Sequence, residues 1–327
     1  MLTRRLITLS ALATPFAAHA PALAQDDFGA FVNGVKAEAR RLGIREATLT
    51  DAFAGVTPNQ RVIDNDRKQP EFSLTWPQYR DRVLPATRLA MAREQFGRQR
   101  ALLAQVESRY GVDAGTMVGI WGIESAFGVN KGTYRLTEAL TTLAWEGRRA
   151  AYFRKELMNA LKILDAGDVT AARLTGGWAG AMGQPQFMPS SYLQYAVDFE
   201  GHGRRDIWDS IPDVFGSMGN YLAKKGWRRG EPWGQPVRVP PGISSGGRDD
   251  QRSLAEWSRL GVQREDGRPF RRTDIGGALI LPDGAALGEG YMTFANFTAL
   301  RRYNPSDFYA LAVGLLGDAA AGCSAGC

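Results

Sequence analysis

Histidine is nearly missing from this chain of 327 residues: only His19 and His202 occur. A zinc site made of several imidazoles is thereby excluded. A Ser-His or Cys-His pair would have to draw on His202 once His19 leaves with the N-terminal segment described below. Cysteine is equally scarce, with Cys323 and Cys327 alone in a Gly/Ala-rich tail. A small-loop disulfide and an unordered tail are both open there, and neither thiol is given a catalytic role. No phosphate-cradling loop of the Walker type is present. Beyond the N-terminus no apolar run is long enough to span a bilayer; the run near Leu311 to Leu316 is broken by Asp318. The 40 Lys and Arg residues exceed the 34 Asp and Glu, but they form no tracts, so nucleic acid is not an expected partner. Mild basicity suits an anionic polymer. Carboxylates remain as the carriers of chemistry.

The first 24 residues read as an export signal. Arg4 and Arg5 precede a mostly apolar stretch, 6–18, too short for a membrane span. Two small-x-small sites follow, Ala18-His19-Ala20 and Ala22-Leu23-Ala24, and cleavage is expected after Ala24, before Gln25-Asp26-Asp27. The plain alternative is a buried N-terminal helix. No cysteine stands near either site to accept a lipid, so a soluble, exported protein is expected.

Apolar spacing near a 3.6-residue period predicts helices over 28–53, 113–127, 137–164, 190–197, 210–225 and 305–316, with one long helix or two over 79–110. Residues 59–72 read as a polar loop and 176–189 as a glycine-rich one. From Gly226 to Gly290 the chain turns rich in Gly, Pro and Arg, with short strand-like pieces at 237–239 and 278–281 and a short helix over 253–260.

One helix stands out chemically. Met117, Ile120, Trp121 and Glu124 fall at i, i+3, i+4 and i+7, on one face. A carboxyl on that apolar stripe, in the last turn before Gly128, is disfavoured as an anion by burial and by the negative helix end. Its pKa should rise toward the range of a working general acid. Spacing alone equally allows a Glu that reaches out to solvent from the edge of the stripe.

The stretch Gly119-Ile120-Trp121-Gly122-Ile123-Glu124-Ser125-Ala126-Phe127-Gly128 resembles the catalytic helix of lytic murein transglycosylases of the membrane-bound B type. Four further pieces agree in order: Gln69-Pro70-Glu71-Phe72; Gly180-Ala181-Met182-Gly183 with Gln186-Phe187-Met188-Pro189; Asp206-Ile207-Trp208-Asp209; and Arg302-Tyr303-Asn304-Pro305-Ser306. The resemblance implies a mainly α (α+β) fold. It also implies Glu124 as the single acid/base and a substrate-binding set of Ser125, Arg148, Arg149, Met182, Gln186, Phe187, Tyr221, Tyr303 and Asn304. Domain organisation is expected as an export signal (1–24), an N-terminal helical region (25–110), a lysozyme-like core (111–225), a β-rich insertion (226–290), a closing part of the core (291–317) and a tail (318–327).

Two departures from the family pattern appear. Gly177 stands where a serine is frequent before the Gly-Ala-Met-Gly loop. The segment from Asp198 to Asp209 resembles an EF-hand loop but carries His202 and Arg204 at ligand positions, so calcium is not expected and no cofactor is assigned. The implied substrate is peptidoglycan, cut between N-acetylmuramic acid and N-acetylglucosamine with 1,6-anhydro ends. A periplasmic monomer is expected, with cell-wall remodelling proteins as further partners. A lysozyme-like hydrolase and a non-catalytic wall-binding scaffold are the alternatives. Glu146 precedes Arg148 and Arg149, and a local pairing with them is open.

Overall fold

The computed structural model describes residues 25–68, 74–272, 274–284 and 289–323. The signal-like segment, the Gln69-Pro70-Glu71-Phe72 motif and Cys327 lie outside them. Cys323 is disulfide-bonded.

The chain opens with α1 (Gln25–Arg41) and α2 (Glu46–Phe53). The single helix expected over 28–53 is broken because Gly43 takes φ 86°, outside helical space. The polar loop expected over 59–72 is instead α3 (Gln60–Arg67) in its first half. The Asn59 side chain accepts from the Val62 amide, and Val62 and Ile63 are buried, so one cap and two apolar contacts carry a helix with little periodic signal. Three helices occupy the next region: α4 (Trp76–Val83), α5 (Ala86–Arg98) and α6 (Arg100–Tyr110). Pro85 separates the first two.

The centre is α7 (Ala114–Ser125), whose residues from Gly115 to Gly122 are all buried. A helix apolar all round belongs inside a protein. Beyond it lie α8 (Leu136–Glu146) and α9 (Ala150–Ala166), parted by Gly147 at φ 101° where one helix was expected. Then come α10 (Pro189–Tyr195), α11 (Ile211–Lys224), α12 (Leu254–Arg259), α13 (Ala295–Tyr303) and α14 (Asp307–Ala321). Helix α13 is not foreseen by the sequence reading.

A two-stranded ribbon joins β1 (Tyr134–Arg135) to β2 (Thr175–Gly176). A second, antiparallel sheet holds β3 (Gly234–Arg238), β4 (Gln251–Ser253), β5 (Gln263–Arg264), β6 (Gly276–Ile280) and β7 (Gly290–Thr293), in the order β4-β6-β7-β3-β5. It encloses a small core of its own around Trp257, Leu279 and Met292. The fold is thus mainly α with limited β structure, as expected. Among the described residues no helix is long and apolar enough to cross a membrane.

Glycine fixes how α7 meets α14. A Cβ on Gly119 would lie 2.3 Å from the Val313 carbonyl oxygen, and one on Gly115 would lie 2.7 Å from that of Gly317. Rising numbers on α7 meet falling numbers on α14, so the helices run antiparallel at backbone contact. Continuing that register brings the last turn of α7 to the first turn of α14, where Glu124 meets Tyr309.

Candidate active site

Glu124 is half-buried at the end of α7. The Tyr309 hydroxyl donates to its Oε1 at 2.7 Å. Burial pushes the Glu124 carboxyl up to about 7, and the Tyr309 hydrogen bond works in the opposite direction. No second carboxylate among the described residues contributes to that shift. The group is therefore a carboxylic acid near neutrality with one well-placed neutral neighbour. Burial also raises the Tyr309 and Tyr303 phenols well above their ordinary value, and the Glu124 charge adds to this. Both stay protonated, and Tyr309 remains a donor.

The chain leaves α7 through three consecutive left-handed residues, Ala126, Phe127 and Gly128, at φ 49°, 60° and 85°. Two of these are not glycine, a strained arrangement that persists because its surroundings fix it. The Phe127 amide bonds the Trp121 carbonyl at 3.2 Å, and the Phe127 ring meets Trp121 edge-on at 5.4 Å. Ser125 is buried beneath this turn: its Oγ donates to the Trp121 carbonyl at 3.2 Å and accepts from the Gly128 amide at 3.1 Å. A side chain on Gly128 would strike Gln184 Oε1 at 2.4 Å. Gln184 is itself buried, accepting from Trp121 Nε1 at 2.7 Å and donating to the Trp208 carbonyl at 2.9 Å. It locks the turn to the loop after β2.

That loop is a tight reversal. The Met182 amide bonds the Phe187 carbonyl at 2.8 Å, and the Phe187 amide returns to Met182 at 3.0 Å. Met182 is wholly enclosed. Gln186 sits at φ 51° and donates its amide to the Gly183 and Lys131 carbonyls at 2.7 and 3.3 Å. An added Cβ on Gly177 would be in ordinary contact with Gln186 Oε1 at 3.6 Å.

Phe187 and Tyr221 have ring centroids 5.5 Å apart, and each lies close to Tyr303, at 5.7 and 4.8 Å. Tyr303 stacks on Tyr309 at 6.4 Å with the planes 13° apart, which links this group to Glu124. Phe187 and Tyr221 are buried, so their rings support the wall, while Tyr303 and Asn304 are half-buried at its edge. Tyr303 donates to the Pro185 carbonyl at 2.5 Å, and Tyr221 donates to that of Arg302. Asn304 and Tyr309 line a cleft of about 470 Å³ together with Tyr79 and Phe308.

Arg148 and Arg149 converge on Asp66, a buried residue of α3 that the sequence reading passes over. Arg148 Nε and Arg149 Nη2 each reach one of its oxygens at 2.6 Å. The hydrogen bond from Arg148 is the first cause that holds the Asp66 carboxyl below its usual range. The local pairing open to Glu146 is made only in part: its charge acts on the Arg148 guanidinium, but among the described residues it forms no ion pair with either arginine. Its carboxylate accepts from Arg67 at 2.8 Å and from the Arg148 backbone amide at 3.4 Å, because α3 interposes Arg67.

In the segment from Asp198 to Asp209, two aspartates accept the segment's own backbone amides and the last pairs with cations outside it. Asp198 accepts the amides of Gly201, His202 and Gly203 at 2.9, 2.9 and 2.7 Å. Asp206 accepts those of Trp208 and Asp209 at 3.0 and 2.9 Å, and Asp209 pairs with Lys131 at 2.9 Å and with Arg173. Among the described residues no group of three or more His, Cys, Asp and Glu side chains is arranged to hold a metal ion.

Residues 27–318 match the transglycosylase SLT domain family. The membrane-bound lytic murein transglycosylase B of Escherichia coli is 34% identical over 287 residues, covering 85% of this chain and 76% of that protein. SltB3 from Pseudomonas aeruginosa, solved in complex with NAG-anhNAM-pentapeptide, is 41% identical with a TM-score of 0.87, over 90% of this chain and 80% of that one. The Escherichia coli lytic transglycosylase SLT35, solved in complex with calcium, is 29% identical with a TM-score of 0.76, over 91% of this chain and 93% of that one. The chain belongs to the transglycosylase SLT domain family.

Proposed function

We propose that the protein is a lytic transglycosylase of peptidoglycan, cutting the β-1,4 bond between N-acetylmuramic acid and N-acetylglucosamine with Glu124 as its acid/base. The observation that carries this reading is a half-buried carboxyl titrating near 7, paired with the Tyr309 hydroxyl and shifted by no second carboxylate among the described residues. Oε1 accepts from Tyr309, so the working proton belongs on Oε2. That proton goes to the glycosidic oxygen as the bond to the anomeric carbon breaks. The N-acetyl carbonyl of the muramic acid attacks the same carbon, doing the work that a second carboxylate does in retaining glycosidases. Glu124, now ionised, takes the proton of the C6 hydroxyl. The C6 oxygen displaces the N-acetyl group and closes a 1,6-anhydro ring, and no water is consumed.

The half-buried Tyr303 and Asn304 are read as sugar contacts, together with Gln186. Phe187, Tyr221, Met182 and Ser125 are read as holding the wall and the turn in place. Among the described residues, Arg148 and Arg149 keep unused donors that suit a carboxylate of the polymer. The protein is read as exported, soluble and monomeric, with no resident metal. Digestion of purified sacculi, followed by chromatography with mass detection, tests the chemistry. Muropeptides one water lighter than hydrolysed fragments, without a reducing end, are expected. Reducing-end muramic acid as the main product would replace this reading with a lysozyme-like one.

A further inference from the structure

One buried side chain joins α7 to the glycine-rich loop, and it belongs to none of the pieces that resemble the family. Gln184 stands between Gly180-Ala181-Met182-Gly183 and Gln186-Phe187-Met188-Pro189 and is 5% exposed. Its Oε1 accepts from Trp121 Nε1 at 2.7 Å, and its Nε2 donates to the Trp208 carbonyl at 2.9 Å. An indole N–H only donates and a carbonyl only accepts, so a single orientation of the amide satisfies both. The Gln184 backbone amide donates to the Ile207 carbonyl at 2.9 Å.

Through Trp121 this amide reaches the candidate acid. Trp121 lies one turn before Glu124 on the same stripe of α7. Its carbonyl accepts from Ser125 Oγ at 3.2 Å and from the amides of Ala126 and Phe127, so it holds the left-handed turn that follows Glu124. Its indole meets Phe127 and Phe215 edge-on at 5.4 and 5.2 Å. Gln184 also closes the other side of that turn, because the space a Cβ on Gly128 would need is filled by Gln184 Oε1, 2.4 Å away. The far end of the amide is anchored too. The Trp208 carbonyl also accepts from Lys131 Nζ at 3.2 Å, and the Trp208 indole donates to the Thr175 carbonyl of β2 at 3.1 Å.

We infer that Gln184 is a positioning residue for the reaction: through Trp121 and Gly128 it holds the end of α7 so that the Glu124 carboxyl stays beside Tyr309 and away from water. This role rests on the transglycosylase reading, in which Glu124 is the acid/base. The left-handed backbone at Ala126 and Phe127 persists only while its surroundings fix it. Without the amide, the buried Trp121 N–H loses its partner and the turn gains slack beside Gly128. Water then reaches Glu124, and the carboxyl holds its proton less tightly, since burial is the first cause of its raised titration. Both proton transfers suffer, because each needs the carboxyl within hydrogen-bond reach of the oxygen it serves.

The test compares wild type, Gln184→Met and Gln184→Glu on soluble glycan strands bearing peptide stems, well below the melting temperature of each protein. Gln184→Met keeps the length and removes the amide. Its kcat should fall about tenfold, short of the ~10²-fold that a 1 Å misplacement can cost, with KM within about twofold of wild type. The alkaline limb of its rate profile should move to lower pH. Gln184→Glu keeps the shape. As a neutral acid the new carboxyl can accept from Trp121 and donate to Trp208, whereas its anion faces the Trp208 carbonyl. Relative to wild type at the same pH, its rate should be near normal in acid and fall as the new carboxyl ionises. An unchanged kcat, a rise in KM alone, or a loss of kcat with the limb in place would overturn the inference. If Gln184→Met does not fold, Gln184→Glu decides, and a relative rate that ignores its ionisation overturns the inference. Product mass judges the wider reading separately. Reducing ends from the wild type would replace the transglycosylase reading and leave the Gln184 result standing, because hydrolysis also needs Glu124 as acid. Absence of turnover by the wild type overturns both.

Discussion

The Tyr309 hydroxyl and the Glu124 carboxyl meet at 2.7 Å across 185 residues of sequence. The contact exists because α7 and α14 touch backbone to backbone through glycine, and it places a neutral donor on a carboxyl that burial has already made a weak acid.

Replacing that carboxyl should separate catalysis from stability. Glu124→Gln keeps the shape and the Tyr309 contact but has no acidic proton, so turnover should fall by ~10²- to 10⁴-fold. The stability effect has the opposite sign. Burial pushes the folded carboxyl up to about 7, above the ordinary glutamate value of 4.5, so its folded pKa is raised. The folded state then binds the proton more tightly, and stability is lost as pH rises from the unfolded value through the folded one. By about pH 8 the wild type should have lost on the order of 3 kcal/mol that the amide variant retains. Thermal melting should show the variant more stable than wild type at alkaline pH, with the gap closing below about pH 4.5. A variant less stable at every pH would mean that burial does not disfavour the anion.

The helix contact is testable at Gly119. A methyl there would sit 2.3 Å from the Val313 carbonyl oxygen, a backbone atom that cannot step aside alone. Gly119→Ala should force the helices apart and cost about 1 to 3 kcal/mol of stability, typical of overpacking. Turnover should fall at temperatures where the protein is still folded, because the same shift separates Tyr309 from Glu124. Unchanged melting and activity would show that the two helices have slack.

How much of this is legible in sequence depends on the range of the contact concerned. The stripe Met117, Ile120, Trp121 and Glu124 is local, so a helical period reveals it, and the first three are buried as that period requires. Tyr309 carries no such mark. It is one more aromatic in an apolar helix until the glycine contacts fix which turn of α14 faces Glu124. Asp66 escapes for a related reason. It stands in a polar segment that reads as a loop, and only the cap at Asn59 and the burial of Val62 and Ile63 turn that segment into a helix aimed at Arg148 and Arg149. The breaks at Gly43 and Gly147 were readable in principle, since both residues adopt left-handed φ. Apolar periodicity on either side concealed them.

Chelation should leave activity and melting temperature unchanged. Asp198, the first residue of the EF-hand-like segment, already holds three backbone amides, and its exposed neighbour His202 supplies no hard oxygen ligand. The check is turnover and thermal melting with and without a calcium chelator. A large loss of both on chelation would mean that the loop reorganises to bind calcium.

The last prediction concerns the proton itself. Wild-type activity should fall as pH rises through about 7, because the first step needs Glu124 protonated and burial places its titration there. Tyr309→Phe removes the hydroxyl that donates to Oε1 and leaves the ring in place. A donor to a carboxylate favours the ionised form, so removing it should raise the Glu124 pKa further, and the alkaline limb of the profile should move to higher pH. The maximum rate should drop all the same. The second step needs the ionised carboxylate to take the C6 proton, and without Tyr309 that anion is left in a buried site with one donor fewer. A loss on the order of tenfold corresponds to about 1.4 kcal/mol, the scale of one hydrogen bond to a charged group. Rate against pH for both proteins separates this role from a structural one: a variant that merely loosens the fold loses rate without moving the limb upward. A limb displaced toward lower pH would mean that Tyr309 holds Glu124 protonated, and the assignment of donor and acceptor would have to be reversed.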